Sequence, residues 1–231
     1  MDEIQKINIP IQEVIPFINW TAFLTTWKFP VKDRESDEAK KLLADAQKLL
    51  EDYNTFHILK IWNVYALFGF FPVTAKNDIL YVETQKGVKE IPVARQREKR
   101  DDDNYASIAD FIHPDGDFIG MFAITAGKNQ PQGDDYQDLL EQSLRDRLVE
   151  AASEYLHKKL CKGVGIRPAS GYPMLPDIRL NFLIDEVLDM REIGISLTSS
   201  GAMHPNASVA GLYILHPEAR YFHINTALSY K

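Results

Sequence analysis

The sequence predicts an α+β fold, a single domain with a mainly antiparallel sheet flanked by helices. Helical and strand patterns follow one another in mixed order along the 231 residues, and strand pairs are linked by short turns. The regular βαβ alternation of parallel sheets is absent, which favours antiparallel pairing. With 45% hydrophobic residues and no repeat or linker, the chain can bury one large core. We therefore expect one domain over residues 1–231.

Two helices are predicted near the N-terminus. A short helix is expected to start close to Asn19, a residue type favoured at N-caps. A longer one over Ser36–Tyr53 carries apolar residues at the 3.6-residue period. Ser36 suits its N-cap, and Asp37 and Glu38 suit the positive end of its dipole.

The middle of the chain is rich in strand-forming residues. His57–Glu83 is dominated by Ile, Val, Tyr, Trp and Phe and broken by the turn-like Lys76-Asn77-Asp78, so two or three strands are expected. The charged stretch Arg95–Asn104 predicts a solvated loop or helix face. Asp117–Gly127 predicts another strand, which ends in a loop over Lys128–Gly133.

The second half contains the two clearest remaining helices. Asp134–Lys162 has leucines and alanines spaced for one buried face, and Asp177–Ile193 has a similar pattern. Glycines follow both helices and are expected to end them. Beyond them, Val209–Leu215 and Tyr221–Ile224 are predicted to be antiparallel strands joined by a turn at 216–219.

Charge and composition exclude several functions. The net charge of −7 disfavours nucleic acid as a partner. The most apolar run, Ile61–Val73, is shorter than the roughly twenty residues of a membrane helix, and no signal peptide is visible at the N-terminus. The six histidines lack metal-site spacing, so no metal is expected. The single cysteine, Cys161, cannot form an internal disulfide and fits a reducing, cytoplasmic compartment.

The segment Gly165–Pro173 is the strongest candidate for a ligand-binding loop. Pro168 restricts its own backbone and that of Arg167, while Gly171 permits a left-handed conformation. Arg167 offers paired donors to a carboxylate, and Tyr172 offers a flat face to a ring or a cation. The alternative is that Arg167 only ties down the preceding helix and that Tyr172 only packs. A hydrolase is disfavoured because no GxSxG motif presents a nucleophile.

This segment, Arg-Pro-Ala-Ser-Gly-Tyr-Pro, resembles the RPxxGYP signature of the activation domain of cobalamin-dependent methionine synthase. The resemblance covers about residues 14–224, because further motifs occur in the same order as in that family. They include Asn19-Trp20-Thr21, Phe23, Thr26-Trp27, Phe70-Phe71-Pro72, Glu154-Tyr155-Leu156-His157, Ala202-Met203, Pro205, Ala207-Ser208-Val209, Gly211, His216-Pro217 and Tyr221.

The resemblance implies a C-shaped domain with a bent central sheet that binds S-adenosylmethionine. In that family the domain supports the methylation of inactive cob(II)alamin after a one-electron reduction, commonly by flavodoxin. This chain resembles that domain alone, so it is expected to be one component of a methyltransferase system rather than a complete enzyme. The implied partners are a cobalamin-binding module on another chain and flavodoxin or another one-electron donor. No membrane partner is expected.

The resemblance also implies roles for individual residues. Arg167 would hold the carboxylate of S-adenosylmethionine, the backbone around Ala169 would meet the adenine, and Tyr172 would stand near the sulfonium and the corrin. Glu150 and Tyr221 match an acidic residue and a tyrosine near the ligand. The complete implied ligand set, none of it catalytic, is Arg167, Ala169, Gly171, Tyr172, Glu150, Asn19 and Tyr221.

Several positions depart from the family pattern. Asn19 replaces an aspartate expected to pair with the ligand's ammonium, which predicts roughly tenfold weaker binding if nothing compensates. Residues 177–181 replace a histidine-containing motif, and His204 and Asn206 replace Trp and Gly. Glu150 could instead belong to a solvated stripe on its helix, together with residues 146 and 154. The alternative function is therefore a docking or regulatory protein of the same fold that has lost S-adenosylmethionine binding.

Overall fold

The computed structural model describes residues 3–55, 63–97, 106–127 and 133–224. Within them, six strands form one antiparallel sheet, namely β1 (Gln5–Ile9), β2 (Val64–Lys76), β3 (Ile79–Thr84), β4 (Gly87–Pro92), β5 (Asp117–Thr125) and β8 (Ser208–Ile214). Their order is β4-β3-β2-β5-β8, with β1 pairing along β2. Two short strands, β6 (Ser196–Leu197) and β7 (Met203–His204), pair separately.

In the described residues, five α-helices cover the two faces of this sheet. They are α1 (Ile11–Val14), α2 (Trp20–Thr26), α3 (Asp37–Thr55), α4 (Asp135–Cys161) and α5 (Leu180–Leu188). Because strand side chains alternate, β5 contributes Phe122 and Ile124 to the core beneath α1–α4. Met121 and Ala123 belong to the core beneath α5. The mixed helices and antiparallel sheet confirm the predicted α+β class.

The predicted helices near the N-terminus are confirmed, and side-chain hydrogen bonds in their first turns explain where they begin. Asn19 caps α2, since its Oδ1 accepts a hydrogen bond from Ala22 N at 2.9 Å. Ser36 Oγ accepts one from Ala39 N at 3.2 Å at the start of α3.

On α4, Asp134 Oδ1 accepts bonds from two backbone amides, and Lys162 adopts a left-handed conformation just past the C-terminus. The expected bounds of α4 are therefore correct to within one residue.

The strands of the middle region are also confirmed, with two additions. Val64 begins the long strand β2, and the predicted turn forms a two-residue hairpin in which Asn77 and Asp78 have positive φ. β1 and β4 were not predicted. The expected strand over Asp117–Gly127 corresponds to β5. Most of the two expected loops, at 98–104 and 128–132, lies outside the described residues.

Two predictions in the last third of the chain are wrong. The expected helix Asp177–Ile193 begins only at Leu180, because Asp177 Oδ1 accepts from Arg179 N at 2.9 Å and holds these residues in a turn. It also breaks at Asp189, whose φ is 56°, before a short 3₁₀ turn. The expected strand Tyr221–Ile224 has no strand partner in the described residues. It is anchored instead by Ile224 N, which donates to Pro173 O at 2.9 Å.

A buried ion pair lies inside α4. Glu141 and Arg145 are one helical turn apart, and each side chain is 1% exposed. Arg145 Nη2 donates to Glu141 Oε1 at 2.9 Å, and Nη1 donates to the carbonyl of Ala126 at the end of β5. The pair thus joins the long helix to the central sheet.

We predict that Arg145→Met lowers the free energy of unfolding by about 3–5 kcal/mol, because it leaves Glu141 buried without its countercharge. The double variant Glu141→Leu/Arg145→Met removes both charges and should recover at least about 2 kcal/mol of that loss. Urea unfolding monitored by circular dichroism measures both. A double variant no more stable than the single one would contradict this account.

Candidate functional site

A cleft of about 520 Å³ opens between the start of α2, the middle of α4 and the segment Gly165–Pro173. Four residues predicted to bind a ligand line it together, namely Asn19, Glu150, Arg167 and Tyr172. The remaining lining residues are Phe17, Ala22, Arg147, Ala151 and Glu154. The tertiary structure therefore brings together residues that are far apart in the sequence.

The backbone of Gly165–Pro173 is held against the edge strand β8. Ile166 and Ile214 exchange backbone hydrogen bonds of 3.0 and 2.9 Å. Further along, Ser170 N donates to Ala210 O at 2.9 Å, and Leu212 N donates to Pro168 O at 3.0 Å. The segment thus adds a few residues to the edge of the sheet. Its position is fixed by these hydrogen bonds to β8, unlike that of a free loop.

Gly211 on β8 permits a close backbone contact with Pro168 and Ala169. A Cβ at this position would lie 2.3 Å from Pro168 O and 2.8 Å from the Cα of Ala169. Ala169 itself is buried and does not line the cleft. The two hydrogen bonds to β8 flank the Ala169–Gly211 pair, so the N–H and C=O of Ala169 point away from β8.

Gly171 makes the turn that directs Tyr172 into the cleft. Its φ is +83°, as predicted for a left-handed position, and its N–H donates to Leu175 O at 2.8 Å. Tyr172 N donates to Ala169 O at 3.2 Å and closes the turn. Gly171 shapes the site without lining the cleft.

The Arg167 side chain is held from two sides by neighbouring residues of α4. Its Nε donates to Glu154 Oε2 at 3.1 Å, and its Nη1 donates to Ser153 Oγ at 2.7 Å. Among the described residues, Nη2 has no hydrogen-bond partner. The guanidinium is therefore held at Nε and Nη1, while the N–H groups of Nη2 can bind an anion.

Tyr221 contacts this segment but not the cleft. Its hydroxyl oxygen accepts a hydrogen bond from the backbone N–H of Arg167 at 3.0 Å, and its side chain is exposed. In this structure Tyr221 supports the backbone that carries Arg167. It does not line the cleft with the other predicted residues.

Tyr172 and Glu150 form a polar pair across the cleft. The Tyr172 hydroxyl donates to Glu150 Oε1, and the phenol ring is half-exposed. Burial, and then the charge of Glu150, raise the pKa of Tyr172 well above its usual range. Tyr172 therefore stays a hydrogen-bond donor at neutral pH.

A smaller cavity of about 210 Å³ shares Arg147, Glu150 and Tyr172 with the cleft. It is also lined by Asp146, whose pKa is raised mainly by burial, and by Asn206. Residues 146, 150 and 154 thus line cavities and do not form a fully solvated stripe on α4. A separate apolar groove of about 550 Å³ lies between β4 and α5 and contains none of the predicted ligand residues.

Three residues contribute to the site although the sequence did not point to them, namely Arg147, Ser153 and Glu154. Each lies three or four residues from Glu150 on α4, so helical periodicity places them near the same face. That spacing was the available signal. It could not show which of these side chains reach Arg167.

In the described parts of the chain, no three His, Cys, Asp or Glu residues gather closely enough to hold a metal ion. None of the helices in those ranges is long and apolar enough to cross a membrane.

These features define an α+β domain with a cleft suited to a small zwitterionic ligand. The family described as "Vitamin B12 dependent methionine synthase, activation domain" matches residues 10–229. The chain belongs to this family. Its fold is similar to that in "Crystal Structure of the MetH Reactivation Domain bound to AdoHcy", with a TM-score of 0.85 and 29% sequence identity. That match covers 96% of this chain and 81% of the solved one.

The only cysteine in the sequence, Cys161, is buried at the end of α4, and burial raises its pKa to about 11. At pH 8 about 10⁻³ of this thiol is ionised, and the thiolate is the reactive form. We predict that a disulfide reagent such as DTNB modifies the folded protein at least about tenfold more slowly than the urea-unfolded chain. Equal rates in the two states would contradict the burial of Cys161.

Proposed function

We propose that this chain binds S-adenosylmethionine in the cleft and acts as a reactivation module for cobalamin-dependent methionine synthase. The observation that carries the proposal is the Arg167 guanidinium, which α4 holds at Nε and Nη1 and which presents Nη2 within a cleft lined by carboxylates and a tyrosine. The family and the solved relative bound to AdoHcy point to the same ligand class.

The chemistry of the cleft fits such a ligand. The Nη2 group of Arg167 suits the ligand's carboxylate, because its N–H groups can donate charge-assisted hydrogen bonds to carboxylate oxygens. Glu150 and Glu154 provide negative charge for the ammonium and the sulfonium. The face of Tyr172 can stack against a cation. We assign adenine binding to the backbone around Ala169 and Gly171, and a supporting role to Tyr221.

Within this proposal the chain's residues bind and orient the methyl donor. When bound, S-adenosylmethionine supplies an activated methyl group, and the acceptor is a cobalamin carried by another chain. Flavodoxin or another one-electron donor would reduce that cobalamin. We assign the cytoplasm as the site of action, since a single buried cysteine fits a reducing compartment.

The second candidate function is a docking or regulatory protein of the same fold without the ligand. Asn19 favours it, because a neutral amide lines the cleft where the family pattern has a carboxylate. Its Oδ1 already accepts a hydrogen bond from Ala22 N, which leaves one lone pair of a neutral oxygen for the ligand's ammonium. Such a bond is weaker than one to a charged carboxylate.

Isothermal titration calorimetry with S-adenosylmethionine separates the two functions. We predict micromolar binding to the wild type and a loss of about 2 kcal/mol or more, roughly thirtyfold, in Arg167→Ala, because charged hydrogen bonds to the carboxylate are removed. Thermal stability should stay within about 1 kcal/mol. Arg179→Ala is the matched control, because Arg179 is exposed and paired with Asp177 outside the cleft. Its affinity should equal that of the wild type.

A wild type that binds no S-adenosylmethionine up to millimolar concentration would support the docking or regulatory protein instead. Binding that survives Arg167→Ala would remove Arg167 from the site.

We also predict that Asn19→Asp tightens binding by up to about tenfold, because a carboxylate can pair with the ligand's ammonium. Aspartate caps helices as well as asparagine does, so α2 should keep its stability. Asn19→Ser is the control, since serine keeps the cap without adding charge. Calorimetry and thermal unfolding of both variants provide the test. Weaker binding in Asn19→Asp than in Asn19→Ser would show that no cation lies near this position.

A further inference from the structure

Ser153 on α4 stands directly behind the guanidinium of Arg167. Its Oγ accepts the hydrogen bond from Arg167 Nη1 at 2.7 Å, and the whole residue is 0% exposed. We propose that Ser153 is a positioning residue, which sets the orientation of Arg167 so that its Nη2 group faces the ligand carboxylate. This inference rests on the proposed function and extends it to a residue that does not line the cleft.

The Ser153 hydroxyl has a fixed direction. It has one proton, which it donates to the backbone carbonyl of Glu150 at 2.8 Å, one turn earlier in the helix. Its lone pairs are therefore the groups available to Arg167. Because the hydroxyl cannot rotate away without breaking its bond to the helix, it acts as a stationary acceptor for Nη1.

Glu154 cannot substitute for this contact. It binds Nε at 3.1 Å, but its side chain is 38% exposed and also lies 4.0 Å from Lys158 Nζ. Solvent screens such an ion pair, and its geometry is less restricted. Ser153 is neutral, so it orients the guanidinium without neutralising the charge that attracts the ligand.

Orientation of an arginine in advance favours binding. A free arginine side chain samples many rotamers, and that freedom is lost when it clamps a ligand. Two hydrogen bonds from adjacent residues of one helix remove much of it before the ligand arrives. Replacement of Ser153 should therefore weaken only the interactions that Arg167 makes.

The test compares ligands with and without the carboxylate. For Ser153→Ala we expect binding of S-adenosylmethionine and S-adenosylhomocysteine to weaken about five- to tenfold, the effect of one lost hydrogen bond. Binding of 5′-methylthioadenosine, which lacks the amino-acid part, should not change. In the Arg167→Ala background, Ser153→Ala should have no further effect, because the two residues act as one unit.

Ser143→Ala provides a matched control on the same helix. Ser143 is also buried, donates to the carbonyl three residues earlier and accepts a bond from Trp27 Nε1, but it lies outside the cleft. Its removal should leave all three affinities unchanged. Equal weakening of all three ligands by Ser153→Ala, no weakening at all, or effects additive with Arg167→Ala would each overturn the proposal.

A second measurement does not depend on ligand binding. The ¹⁵N relaxation of Arg167 Nε should report a rigid side chain in the wild type and a mobile one in Ser153→Ala. Unchanged rigidity would overturn the role of Ser153. If the wild type bound no S-adenosylmethionine, the proposed function would fail, whereas rigidity lost in Ser153→Ala would still support the positioning of Arg167.

Discussion

The contact between Pro168–Ser170 and β8 at Gly211 is the constraint on which the site depends. No other residue type fits there, because a Cβ would overlap Pro168 O. This contact lets a chain segment rich in turns continue the sheet, so its backbone has the rigidity of a strand. This fixes the position of the Arg167 backbone relative to α4. A functional side chain on a rigid element is positioned more precisely than one on a free loop.

The helix α4 is the second fixed element. It is capped at its start, anchored to β5 by the buried Glu141–Arg145 pair and ended by a left-handed residue. Residues 146, 147, 150, 153 and 154 fall on neighbouring positions of the helix surface. Carboxylates, a guanidinium and a buried hydroxyl from these residues therefore lie on the side of α4 that faces Arg167. The site is thus built between two elements that are each anchored to the central sheet.

The charge balance of the cleft fits a ligand that carries both signs. Arg147 and Arg167 face the carboxylates of Glu150 and Glu154, and Tyr172 adds a hydroxyl that stays protonated. A cleft lined by charges of only one sign would repel the like-charged group of a zwitterion. At the end of the cleft formed by α2, Asn19 provides a neutral amide and therefore adds no negative charge. It does so without cost to the helix, because its carbonyl is used as the cap.

The sequence by itself determined the helices that have clear periods and caps, the β2–β3 hairpin and the left-handed turn at Gly171, because these depend on neighbours within a few residues. Only the tertiary structure decided that Tyr221–Ile224 forms no strand and that Ser153 meets Arg167. Those outcomes depend on backbone and side-chain partners from distant parts of the chain. Periodicity shows which residues share a helix face, but long-range packing decides what that face contacts.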